Sequence, residues 1–134
     1  MASILRVNTL TDASSNNSVA LETVSQGSLK VWANLKGTDT FGLRDSFNVS
    51  SATDNGAGSH TITINNDMAN NDYSVTASQG GNTANNDVRM PVNGEDFATG
   101  SYHYNTLLVG TSINDSIHSC TQVEGDLALP KQQN

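Results

Sequence analysis

The chain is poor in most of the residues from which chemical motifs are built. It has one cysteine, Cys120, in 134 residues, so it has no intrachain disulfide and no cysteine-built zinc site. Six basic residues stand against thirteen acidic ones, for a net charge of −7, and the Lys and Arg are scattered. A phosphate-tracking groove or an anionic membrane surface needs them clustered, so the reading is no nucleic acid and no membrane insertion. Aromatics are 5% and hydrophobic residues 35% of the chain, the latter below the ~45–50% usual for globular proteins. No apolar run approaches the ~18 residues of a spanning helix. The opening MASILRVNTL also lacks the long apolar core of a signal peptide, so the chain is expected to fold in a cytoplasm and to leave it other than by secretion.

Neutral polar residues fill the gap: 17 Asn, 16 Ser and 14 Thr. Such a composition suits strands with one wet face and many polar turns, or a subunit that completes its core with neighbours. The length fits one domain, of which about two thirds of the unfolded surface is buried on folding.

Residues 1–27 read as an extended arm. Ile4, Leu5 and Val7 form an apolar patch, a polar tract runs over 11–18, and Val19, Ala20, Leu21 and Val24 support a turn or two of helix that Gly27 ends. A helix so short must dock on something. From Ser28 the pattern is β. Leu29, Val31, Ala33 and Leu35 alternate on one face with Lys30, Trp32 and Asn34 on the other. Phe41, Leu43, Asp45, Phe47 and Val49 then share one side of a long strand, with Asp45 marking a bulge. Further strands are expected around Ile62 and Ile64, Tyr73 to Ala77, Val88 to Met90 (ended by Pro91), 97–104, 106–109 and 117–123. Seven or eight short strands with frequent turn signals predict an all-β fold, an antiparallel β-sandwich of jelly-roll or immunoglobulin-like type over 28–134.

The Asp54-Asn55-Gly56-Ala57-Gly58 loop fails as a calcium site. Counted from Asp54, the twelfth position is Asn65 rather than Glu, and Gly58 occupies the fifth, where a ligand belongs. Asn55-Gly56 between alternating runs instead predicts a type I′ hairpin turn. His60, His103 and His118 are candidate metal ligands together with Asp67, Asp87, Glu95, Asp96 or Asp115, but they lack the spacing of a zincin; on a three-fold axis one His per subunit would make three ligands. His118 and Cys120 share a strand face, but a lone cysteine is commonly a small buried hydrophobe. No nucleophile elbow or phosphate loop is present, and Glu95 and Asp96, adjacent on a strand, face opposite ways. The expectation is a protein with no catalytic residues, no metal and no cofactor. Tyr102 and Tyr104 lie on one strand face, where they would stack on sugar rings if exposed or pack inward if not.

Two stretches together carry a resemblance. LRVNTLTDASSNNSVAL resembles the N-terminal segment of many tail-fibre and appendage proteins of marine bacteriophages, especially those of cyanobacteria. SLKVWANLKGTDTFGLRDSFNVSSATDNGAGSHTITINNDMANNDYSVTAS resembles a module recurrent in the same virion proteins, through Trp32, Asn34, Gly37, Thr38, Arg44, Ser46, Asn48, Asp54, Gly56, Gly58, Thr61, Ile62, Met68, Tyr73 and Val75. The resemblance covers residues 1–78 well. Leu35 replaces the usual aromatic, and the C-terminal part departs from the usual closing strand.

The resemblance implies a non-enzymatic virion protein released by lysis, a homotrimer in which the β-sandwich is structural. On that basis a short tail fibre or appendage is expected, attached to other virion proteins through Ile4, Leu5, Val7 and Leu21. A capsid-decorating or head-fibre protein is the alternative. So is a host-glycan lectin that uses Tyr102, Tyr104 and the loops near 82–86 and Asn114.

Overall fold

The computed structural model describes residues 6–80, 89–108 and 112–128. Ile4, Leu5, the 82–86 loop, Asp87, Val88 and Val109 lie outside the described residues. The arm is a hairpin and a short helix rather than an extended segment. Strands β1 (Thr9–Thr11) and β2 (Ser18–Ala20) pair antiparallel, with Leu10 opposite Val19. The polar tract between them is a loop organised by one carboxylate. Asp12 accepts from Asn17 Nδ2 at 2.7 Å, from the Asn16 N–H at 3.0 Å and from Ser14 Oγ at 3.1 Å. Those bonds, the Asn17 bond first, hold the Asp12 carboxyl below its ordinary pKa. Helix α1 (Leu21–Gln26) follows and ends at Gly27, as its composition predicts.

The rest is an antiparallel β-sandwich. One sheet has the order β4-β3-β11-β7, built from β3 (Val31–Lys36), β4 (Gly42–Phe47), β7 (Ser74–Gly80) and β11 (His118–Glu124). The other runs β10-β9-β6-β5, with β8 also paired to β9. Its strands are β5 (Val49–Gly56), β6 (Ser59–Ile64), β8 (Arg89–Ala98), β9 (Ser101–Leu108) and β10 (Ser112–Ile113). Alternation sets what each strand buries. Val31, Ala33 and Leu35 point inward from β3, and Ser119, Thr121 and Val123 from β11. They meet His60, Ile62 and Ile64 of β6 and Tyr102, Tyr104 and Thr106 of β9.

Several sequence expectations are corrected. The supposed long strand over 41–49 is two strands in different sheets. They are broken at Asn48, which adopts the left-handed conformation (φ 57°) that Asn tolerates better than most residues. Its side chain ties the corner: Nδ2 donates to Lys30 O and Asn66 O, both at 3.1 Å, and Oδ1 accepts from the Asn66 N–H at 2.8 Å. The register of β3 with β4 slips between Asn34/Asp45 and Leu35/Leu43, so the bulge falls at Arg44. Asp45 and Phe47 are thereby turned outward opposite Asn34 and Trp32, and Phe47 is 54% exposed.

Leu29 is exposed and Lys30 buried, the reverse of their expected faces, because the strand proper begins at Val31. Residues 97–104 are the tip of the β8–β9 hairpin rather than one strand, and 106–108 continue β9. β8 runs through Pro91, which is tolerated because among the described strands β8 pairs with β9 alone. The turn between β5 and β6 falls at Ala57 and Gly58, two residues beyond the expected Asn55-Gly56. Gly58 has φ +67°, and a Cβ there would lie 2.6 Å from the Asn114 backbone, so a neighbouring segment decides where the chain reverses.

Candidate functional site

The arm and its junction with the sandwich are the first candidate. Val7 and Leu21, two of the proposed anchors, are half-buried, while Leu10, Val19 and Val24 are 42%, 36% and 43% exposed. α1 buries no residue. Two contacts fix the arm to the sandwich. The Lys30 ammonium donates to the Ser25 carbonyl, to the Ser28 carbonyl at 2.5 Å and to Ser28 Oγ at 3.1 Å. It therefore caps the carbonyl end of α1, where the helix dipole favours a cation. Gln26 Nε2 donates to Asp126 Oδ1 at 2.5 Å. Between these contacts opens a cleft of about 610 Å³ lined by Ser25, Lys30, Asn66, Asp126, Leu127 and Ala128 among others. Sequence reasoning placed Lys30 on a wet face and so missed the cap. No signal in the sequence marked it, since Leu29 and Val31 share the parity of an inward face.

Tyr102 and Tyr104, sugar contacts only in the lectin alternative, are 0% and 1% exposed and pack inward, the other arrangement the sequence left open. Neither can stack on a ligand. Instead they rivet the two sheets: the Tyr102 hydroxyl shares a hydrogen bond with Thr121 Oγ1 at 2.7 Å, and Tyr104 with Ser119 Oγ at 3.0 Å. Burial pushes the Tyr102 phenol up to about 12 and the Tyr104 phenol higher still. Tyr73 is likewise raised to about 12 by burial; it donates to the carbonyls of Ala98 and Ser101, both at 2.9 Å. Asn114, the other expected contact, is half-buried, its N–H donating to Thr106 O at 3.0 Å and its carbonyl accepting from Thr106 Oγ1 at 2.5 Å.

The opposite face of the same strands is the second candidate. Registered rows run Thr53, Thr61, His103 and Ser51, Thr63, Ser101, with Ser59 beside Asn105. Ser59 Oγ bonds His103 Nε2 at 2.8 Å, and Asn55 Nδ2 donates to Thr61 Oγ1 at 2.8 Å. These rows form a hydroxyl- and amide-lined surface with no carboxylate, ammonium or guanidinium among the residues named, on a chain of net charge −7.

Among the described residues no group of three or more His, Cys, Asp or Glu is placed to hold a metal ion. His118 is exposed and Cys120 half-buried on the outward side of β11. His60 is the exception to an ordinary polar surface. It is fully buried, and neither ring nitrogen has a hydrogen-bond partner among the described residues. Considered from the sequence only as a candidate ligand, it instead shares the inward face of β6 with Ile62 and Ile64. No described helix is long and apolar enough to cross a membrane. Compared with known proteins, the chain matches no family model, no curated protein and no solved structure.

Proposed function

We propose that the chain is a non-enzymatic structural subunit of a phage virion, a short tail fibre or appendage held to other virion proteins by residues 1–27. The observation that carries this reading is the uncovered apolar surface of the arm. Leu10, Val19 and Val24 are exposed on a two-stranded hairpin and a six-residue helix, elements too short to be stable alone. They gain by being covered in an assembly, as attachment requires. A homotrimer in which each arm meets a neighbour, with the sandwiches projecting outward, fits that need. The resemblance of residues 1–78 to phage appendage proteins supports the same reading.

Deleting residues 1–20 is expected to abolish incorporation into particles while the sandwich stays folded. Normal incorporation of the truncation would overturn the anchoring role. Labelling the particle separates a tail location from capsid decoration. A second reading is favoured by the hydroxyl- and amide-lined face of β5, β6 and β9, which suits a neutral host glycan through hydrogen bonds. Glycan-array binding lost on replacing Thr61 and His103 together would support it, and binding unchanged by that replacement would remove it.

A further inference from the structure

His60 lies at the end of the sandwich where three segments close over it. Phe41 stacks on the imidazole with ring centroids 5.3 Å apart and planes at 22°, and Tyr104 lies tilted on it at 5.6 Å. The turn after β3 passes close by: a Cβ on Gly37 would sit 3.5 Å from His60 Nε2 and 3.0 Å from the Ser116 carbonyl. The Gly37 N–H donates to that same carbonyl at 2.9 Å. Thus the 37–41 turn and the 114–117 segment are clasped to each other beside His60 Nε2.

A neutral imidazole tolerates this site as a flat, mostly apolar plug. An imidazolium does not, because it carries two N–H donors and a charge into a place where no acceptor among the described residues is bonded to either nitrogen. The titratable groups facing it are Asp115 and Asp54, which favour the charged form, and His103, which opposes it. Asp115 Oδ1 already accepts from the Gly58 N–H at 2.6 Å, and Asp54 Oδ1 from the Gly56 N–H at 3.0 Å. Burial outweighs both carboxylates, so the ring is held below its ordinary pKa.

We propose that this end of the sandwich is an acid-released clasp, in which protonation of the His60 imidazole expels it from between Phe41 and Tyr104 and frees the Gly37–Ser116 contact. The device stands whether or not the chain sits in a virion. Since the folded chain binds fewer protons here than the unfolded chain, stability is full above about pH 6.5 and falls below it. The folded-to-unfolded ratio loses up to about tenfold per pH unit until the folded-state pKa is passed.

The test is NMR titration of the three histidines in the full chain, with amide protection factors at Gly37 and at the core residue Ile62. His60 is expected to stay neutral through the ordinary imidazole range near pH 6.5, and Gly37 protection is expected to fall in acid ahead of Ile62. In His60→Phe, which keeps a ring in the plug, the acid dependence of Gly37 protection and of the unfolding midpoint should shrink. A His60 that titrates at or above about 6.5, or a Gly37 amide that opens only with Ile62, would overturn the clasp. So would a folded His60→Phe variant with unchanged acid dependence.

Discussion

Removing the Tyr102 hydroxyl tests what joins the two sheets. Tyr102 and Thr121 are 0% and 1% exposed, and their hydroxyls meet at 2.7 Å between sheets. Tyr102→Phe keeps the ring and its packing but leaves the Thr121 hydroxyl without this partner. The expected loss is about 1–2 kcal/mol, set by the desolvated group left behind more than by the bond itself. Thr121→Val, matched in shape, should cost a similar amount by stranding the phenol. The double variant Tyr102→Phe/Thr121→Val removes both groups and leaves nothing unpaired, so it should be no worse than either single change. The implied coupling is about 1 kcal/mol or more.

Urea unfolding followed by Trp32 fluorescence measures it, since a loss of about 1.5 kcal/mol moves the midpoint by roughly 0.5–1.5 M. Single losses that simply add in the double variant, within about 0.3 kcal/mol, would refute the inter-sheet rivet. The same geometry bears on ligand assays. Tyr102→Ala empties a core site at a cost of about 3–5 kcal/mol, so any binding it loses reports unfolding rather than a lost sugar contact.

Gly58→Ala should destabilise by about 2 kcal/mol or more, combining a left-handed backbone with a clash into Asn114. Gly42→Ala, with nothing within 4 Å of the added Cβ, should change the midpoint little; equal effects would contradict the close approach. Lys30→Met keeps the buried stem but removes the cap on α1, so limited proteolysis within 21–28 should quicken while the sandwich midpoint holds or rises. Unchanged cleavage would mean the cap does not hold the arm. In alkali, Tyr73 and Tyr102 keep their protons up to about 12, whereas unfolded tyrosine ionises near 10. Stability is therefore full below pH ~10 and is lost as pH rises toward ~12. Tyrosinate absorbance should appear together with unfolding, and early, fully reversible ionisation of all three phenols in the folded chain would count against their burial.

Much of the β body was legible residue by residue. Parity alone assigned Val31, Ala33, Leu35, Ile62 and Ile64 to the core, because a pleated strand offers no other way to hide alternate side chains. Parity also applied to Tyr102 and Tyr104, yet it could not say which of their two faces is inside. Their hydroxyls made a wet face plausible until Thr121 and Ser119 supplied buried partners. The 41–49 run misled for a different reason. One left-handed residue, Asn48, and one bulged residue, Arg44, each reset the phase of the alternation, and neither leaves a periodic trace. The arm's hairpin was hidden because Asp12 builds its loop from side-chain bonds that alternation does not encode.

The amino-acid pattern by itself determined that this chain is an antiparallel sandwich with polar turns, since segments that alternate every second residue and carry so few apolar side chains can bury only one face each. Only the tertiary structure decided which face each strand buries where phase is broken, and where the β5–β6 turn falls. It alone shows that Lys30 caps a helix rather than facing water, and that His60 is sealed without a hydrogen-bond partner among the described residues. Those outcomes depend on contacts between segments far apart in the chain: Asn114 against Gly58, Ser116 against Gly37 and Ser25 against the ammonium of Lys30. Distance along a sequence carries no information about such approaches.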